Sequence, residues 1–233
     1  MRILHTSDFH FRQTWFHWLT EKAPGFDACC LTGDLLDMLG FGTAQGMSTQ
    51  VRWVKEWAKA FPGRLYLCSG NHDWWVEDRY IDTMANGRWV QWLRRTGSVF
   101  VDGDVDALPG YAVHCQPWVG GLGQRHETGL PALVLAHAPP TGLPVSFNYE
   151  GSDFGDFQTD EILRALPVGS LILSGHVHTS RHWHAERKGV LCFNPGVSDN
   201  PEPNYIVLDT ARHAAALFTG GQVRDSYQWH STA

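Results

Sequence analysis

Nine side chains able to bind a cation or move a proton fall into five short clusters: Asp8 and His10; Asp34; Asn71, His72 and Asp73; His137; His176 and His178. Carboxylate and amide oxygens are hard donors for divalent cations, imidazole nitrogens suit transition metals, and an imidazole titrates near neutrality. Taken singly, each cluster has a plainer explanation. Asp8 could cap a helix starting near Thr14, Gly70-Asn71-His72-Asp73 could be a satisfied turn, and His137 could be structural.

What the clusters share is position. Each follows a short apolar run, at residues 2–6, 27–31, 65–68, 131–136 and 171–174. These runs are too short for helices and lack a helical period, so they predict buried strands. Each hands over to Gly, Ser or Ala before the polar residue arrives. In α/β sheets the carboxyl ends of strands are where ligands are held. Independent caps and turns would not line up so regularly, so the joint pattern predicts a metal site where five strands terminate. Extended backbone places side chains two apart on one face, which would aim Asp8 with His10 and His176 with His178.

Other elements frame these runs. Helices are expected from about Thr14, over 48–61 with Val51, Val54, Ala58 and Phe61 in register, and over 159–166. Residues 74–95 read as helix in two pieces broken at Asn86-Gly87, with Trp74 and Trp75 able to wall a substrate pocket. The glycine-rich run 40–46 lacks phosphate-loop spacing and reads as a flap. Further strands are expected at 98–101, 111–115, 190–193 and 205–208, with a hairpin of 214–218 and 223–227 around Gly220-Gly221. The long loop 141–158 is of the kind that often carries function. Arg12, Arg79 and Arg125 are candidates to steer a phosphate, and Asp37 reads as a loop or capping residue. His5 and His114 lie inside strand-like runs and read as hydrogen-bonded structural histidines.

The totals bound the possibilities. A chain of 233 residues, 43% hydrophobic and 18% charged, suits one globular domain with a sizeable core. Net charge of −6 argues against a surface built to hold nucleic acid broadly. The five cysteines, Cys29, Cys30, Cys68, Cys115 and Cys192, have no CxxC spacing and read as free buried thiols of a reducing compartment. Met1 leads straight into a strand with no leader-like stretch, and no apolar run reaches 18 residues, so a cytoplasmic protein without membrane spans is expected.

The blocks Asp8-x-His10, Gly33-Asp34, Gly70-Asn71-His72-Asp73, the lone His137 and Gly175-His176-x-His178 resemble, in order, those of the calcineurin-like metallophosphoesterase superfamily. The resemblance spans Ser7 to His178 with no block missing. It implies an α/β fold, a four-layer α-β-β-α sandwich of two mixed β-sheets flanked by helices, and the chain length with no visible linker or repeat makes a single domain over residues 1–233 the expectation. It further implies two divalent metal ions, one held by Asp8, His10 and His178, the other by Asn71, His137 and His176, with Asp34 bridging. Mn²⁺ is the expected metal, and Fe, Zn²⁺ or Ni²⁺ would also suit these O and N donors. His72 matches the family's catalytic histidine, with Asp73 expected to orient it, and Asn194-Pro195-Gly196 matches a supporting loop.

The activity implied is hydrolysis of a phosphoester by in-line attack of a metal-bridging hydroxide, with His72 assisting the leaving group. A small phosphodiester is the leading substrate class, a nucleotide among its members, and no broad nucleic-acid surface or membrane partner is expected. The opening residues 2–10 also resemble the start of double-strand-break repair nucleases, which makes a DNA nuclease the alternative. A non-catalytic metal-bound scaffold is a second alternative, from a different functional class.

Overall fold

In the computed structural model, residues 1–39, 45–74, 85–119 and 129–230 are described. In chain order the elements are β1 (Arg2–Thr6), α1 (Gln13–Lys22), β2 (Ala28–Thr32), α2 (Met47–Ala60), β3 (Leu65–Cys68), β4 (Val99–Phe100), β5 (Val105–Leu108) and β6 (Tyr111–Cys115). They continue with β7 (Ala132–Leu135), α3 (Phe157–Ala165), β8 (Leu171–Leu173), β9 (His184–Arg187), β10 (Val190–Phe193), β11 (Tyr205–Asp209), β12 (Ala214–Thr219) and β13 (Gln222–Gln228).

The strands form two mixed sheets. One has the order β13-β12-β11-β1-β2-β3-β4, the other β5-β6-β7-β8-β10-β9. Strands β1, β2 and β3 are parallel neighbours, as are β7 and β8. All five strands that precede a polar cluster therefore sit in the parallel centres of their sheets.

Side-chain alternation builds the layers. Ile3, Ala28, Cys30, Tyr66 and Cys68 of the first sheet meet Leu133, Leu135, Leu171, Leu173 and Phe193 of the second in one buried layer. Their neighbours Leu4, Cys29, Leu31, Leu65 and Leu67 point the other way, against Trp15, Phe16 and Leu19 of α1 and Val51, Val54 and Trp57 of α2. On the far side, Val134, Ile172, Val190 and Cys192 pack with Ile162 and Leu163 of α3. Three apolar layers thus separate helices, sheet, sheet and helix, the expected four-layer sandwich. Strands buried on both faces need unbroken apolar runs, which is why they were readable.

The edges were less legible. β5 and β9 were not expected. Each borders its sheet, and Val105–Leu108 buries only Leu108 fully while His184–Arg187 buries only Ala185. Half-exposed edge strands carry little apolar signal. The expected break at Asn86-Gly87 is absent: a 3₁₀ helix runs through it, Ala85–Leu93. Helix α3 starts two residues earlier than expected because the Asp156 side chain accepts from the Thr159 backbone N–H at 2.7 Å, capping the helix there. The loop before it is pinned by Asp153, whose carboxylate takes the Thr141 hydroxyl at 2.7 Å and the Gly142 and Gly155 N–H groups at 2.8 and 2.9 Å. All five cysteines are free and buried, as expected. Among the described residues no helix is long and apolar enough to cross a membrane.

Candidate metal centre

The five strand ends meet across the two sheets, and the predicted side chains converge there. Donor atoms of Asp8, His10, Asp34 and His178 all lie within 4.8 Å of one another. His10 Nε2 and His178 Nε2 are 3.1 Å apart, and His178 Nε2 is 3.4 Å from Asp8 Oδ1. Beside them, His137 Nε2 is 3.0 Å from Asn71 Oδ1 and 3.3 Å from Asp34 Oδ2. His10 Nε2 approaches the same Asp34 oxygen at 3.9 Å. Asp34 therefore stands between the His10 side and the His137 side. The His176 ring lies 5.0 Å from that of His137, and Trp118 borders both at 5.5 and 5.4 Å between ring centroids.

The backbone achieves this convergence differently from the strand alternation expected. Asp8, His10, Asp34 and His176 all have positive φ, at 56°, 43°, 49° and 66°. Left-handed backbone costs a non-glycine residue about 1–2 kcal/mol. It persists where surroundings over-determine it, characteristically at functional sites. Here the exits of β1 and β2 are tied together: Asp8 N–H donates to Gly33 O at 3.2 Å, His10 N–H to Asp34 O at 2.9 Å, and Phe11 N–H to Leu35 O at 3.0 Å. The His176 N–H in turn donates to the Asp8 carboxylate at 3.1 Å, joining the two sheets at the site.

Close approach also explains glycines that the sequence offered only as turn residues. A Cβ on Gly70 would lie 2.2 Å from Asp34 Oδ1 and 2.5 Å from Asp34 N. A Cβ on Gly175 would lie 1.6 Å from Ser7 Oγ and 2.3 Å from Asp8 Oδ2. Residues at the neighbouring strand ends occupy the space where a side chain would begin.

His72 sits beside the cluster without joining it. Its Nε2 is 4.0 Å from Asp34 Oδ2, its ring 4.6 Å from that of His10, and its buried Nδ1 has no hydrogen-bond partner among the described residues. Asp73 does not orient it, contrary to expectation. The Asp73 carboxylate instead accepts the N–H groups of Gly70, Leu35 and Leu36 at 2.9, 3.2 and 3.1 Å. It ties the turn after β3 to the loop after β2, a supporting task. The physical reason is local: a carboxylate three residues after Gly70 folds back onto that residue's N–H.

Asn194 does more than the sequence suggested. Its buried amide donates to Gly175 O and Val177 O at 3.0 and 3.2 Å and accepts from Gly196 N–H at 2.8 Å, clamping the loop that carries His176 and His178. Of the arginine candidates, Arg12 is engaged elsewhere, donating to Ser198 O at 3.0 Å and stacking on Trp15. Arg79, Arg125 and Trp75 lie outside the described residues, as does most of the 40–46 flap.

Electrostatics follow from two carboxylates in a buried setting. Burial alone would raise both. For Asp8, the hydrogen bond with His178 and the charges of His137, His178 and His10 outweigh it; for Asp34, His137 does so, and both stay below the usual range. Burial disfavours charge on His137, but Asp34 and Asp8 overcome it and push its pKa up to about 10. Desolvation beside His137 lowers His176 to about 4. The carboxylates thus draw positive charge into the cluster, from protons or from cations, and a cation must displace protons from the imidazoles it uses. The donor chemistry fits a divalent metal: oxygen and imidazole nitrogen atoms converge, and among the described residues no lysine or arginine is placed between them to neutralise the acids.

The sequence pattern of the family described as calcineurin-like phosphoesterase matches residues 1–180. No curated protein sequence matches the chain. Among solved structures, TT1561 of Thermus thermophilus is similar with a TM-score of 0.58 and 14% identity, over 97% of this chain and 98% of that one. Yfce, a phosphoesterase from E. coli, aligns with a TM-score of 0.49 and 14% identity over the same shares.

Proposed function

The chain therefore belongs to the calcineurin-like phosphoesterase family, and we propose that it is a phosphodiesterase working with two divalent ions, Mn²⁺ the leading choice. The observation carrying the reading is the convergence of Asp8, His10, Asp34 and His178 within 4.8 Å, with Asn71 and His137 on the other side of Asp34 and His72 left over. On this reading Asp8, His10 and His178 hold one ion, Asn71, His137 and His176 hold the other, and Asp34 serves both. When bound, such ions neutralise phosphoryl oxygens and acidify water toward neutral pH.

The chain's own residues do the rest. His137 Nδ1 is 2.8 Å from Thr32 O, which fixes its ring and leaves Nε2 facing the site. Asn194 holds the His176–His178 loop in place. His72, anchored by its N–H to Asp34 Oδ1 at 2.9 Å, keeps an imidazole free to stabilise charge on the departing oxygen or to protonate it. Trp118 shields His137 and His176 on one flank.

The test is turnover of bis(p-nitrophenyl) phosphate and p-nitrophenyl phosphate by protein loaded with Mn²⁺, set beside digestion of single-stranded and duplex DNA. Hydrolysis of the diester with a preference over the monoester is expected. No hydrolysis of any substrate in metal-loaded protein would leave a non-catalytic scaffold, and cleavage confined to DNA would favour the nuclease.

A further inference from the structure

A cavity of about 390 Å³ opens beside His178, between the Asn194-Pro195-Gly196 loop, the segment after His178 and the β13 strand. It lies against the candidate metal centre because His178, whose side chain is 46% exposed, forms part of its wall. Two arginines line it, Arg181 from the segment following β8 and Arg224 from β13. Neither forms an ion pair with a described residue. The Arg181 guanidinium is held at the rim by the Tyr149 carbonyl at 3.4 Å.

The one acid in the lining, Asp225, is already engaged: it accepts the Trp183 indole N–H at 2.9 Å and the Ser226 N–H at 2.8 Å. The lining therefore has two guanidinium groups against one carboxylate, within a chain of net charge −6. A locally positive cleft in an acidic protein concentrates anions, and planar guanidinium forks recognise phosphate bidentately.

We propose that this cleft is a substrate subsite for a second phosphate, so that the natural substrate carries a phosphate besides the scissile phosphodiester. Arg181 and Arg224 are its specificity-determining residues, and Trp183, with its indole N–H fixed by Asp225, forms part of the wall. The inference rests on the phosphodiesterase reading and names the substrate class for that same site.

The experiment compares kcat/KM of Mn²⁺-loaded protein on two probes with the same leaving group: the p-nitrophenyl ester of thymidine 5′-monophosphate, with and without a 3′-phosphate. The wild type is expected to prefer the doubly phosphorylated probe. Arg181→Ala or Arg224→Ala is expected to shrink that preference by about tenfold or more, Arg→Lys at either position to shrink it less, and added salt to erode it. A preference absent from the wild type, or unchanged in both alanine variants, overturns the subsite while leaving phosphodiesterase activity standing. Turnover of bis(p-nitrophenyl) phosphate but of neither probe also overturns the subsite, and no turnover of any of the three overturns the phosphodiesterase reading itself.

Discussion

Gly70→Ala puts the close approach of the two strand ends to a direct test. The residue has an extended φ of −115°, so alanine adds no backbone strain and the effect is steric alone. The new methyl would lie 2.2 Å from Asp34 Oδ1, 2.5 Å from Asp34 N and 2.9 Å from His137 Cδ2. Ordinary contact begins near 3.4 Å, so Asp34 or the turn must retreat by about 1 Å. Metal–ligand distances tolerate only about 0.2 Å. A shift of that size removes Asp34 from any position serving two ions and breaks the 2.9 Å bond from His72 N–H. Overpacking costs about 1–3 kcal/mol, and the lost hydrogen bond to a charged group about 1.5–3 kcal/mol more.

The variant should fold, with its urea midpoint lowered, and should bind less than one Mn²⁺ per chain by elemental analysis after dialysis. Diester turnover should drop at least about a hundredfold, the scale of losing a positioned catalytic group. Gly25→Ala serves as the control, because a methyl there meets nothing within 4 Å. If Gly70→Ala retains two ions and wild-type turnover, Asp34 is not the shared ligand and the steric reasoning fails.

Three further outcomes are expected. His72→Ala should leave the Mn²⁺ content unchanged and lower turnover by roughly 10²–10⁴, and full activity would remove His72 from the reaction. Asp73→Ala strands the buried N–H groups of Gly70, Leu35 and Leu36, at about 1–3 kcal/mol each, so chemical denaturation should reveal a large stability loss; a stable variant with only a shifted pH–rate profile would instead restore Asp73 to orienting His72. His5, fully buried against Thr32, is pushed down from 6.5 to about 3 by desolvation, against the pull of Asp8. The folded chain keeps His5 neutral while the unfolded chain takes up a proton below about 6.5, so stability is lost as pH falls. The loss amounts to about 2 kcal/mol at about pH 5, and His5→Gln should abolish that share of the pH dependence in urea titrations at about pH 7 and 5.

The sequence made the interior legible for a physical reason. β2, β3, β7 and β8 are buried on both faces and almost wholly apolar, β1 is buried past Arg2 with its one polar intruder, His5, held by Thr32, and each run ended at a chemically distinctive residue. β5 and β9 border a sheet and were invisible because half their side chains face water. At the site, residue types were readable but backbone was not: alternation put Asp8 and His10 on one face, whereas positive φ at both residues aims them. That conformation is imposed by hydrogen bonds from the neighbouring strand's exit, which no local pattern records. The task of Asp73 is only half local: its carboxylate folds back onto the Gly70 N–H, but its other partners, Leu35 and Leu36, lie on another loop. Arg181 and Arg224 carry no joint signal in the sequence, because one lies just past the Gly175-His176-x-His178 block and the other on a terminal hairpin, and only the cavity joins them.

The cluster draws Asp8, Asp34 and Asn71 from one sheet and His137, His176 and His178 from the other. A nascent chain that has made β1 to β3 holds half a cage, and the closing pieces arrive only with the strands of the second sheet. An ion cannot seed such a fold; it can only fasten it once the halves have docked. Chelation should accordingly loosen the junction between the sheets before either sheet frays, and amide exchange should register that first at Gly175 and His176, whose N–H groups span the divide or border it.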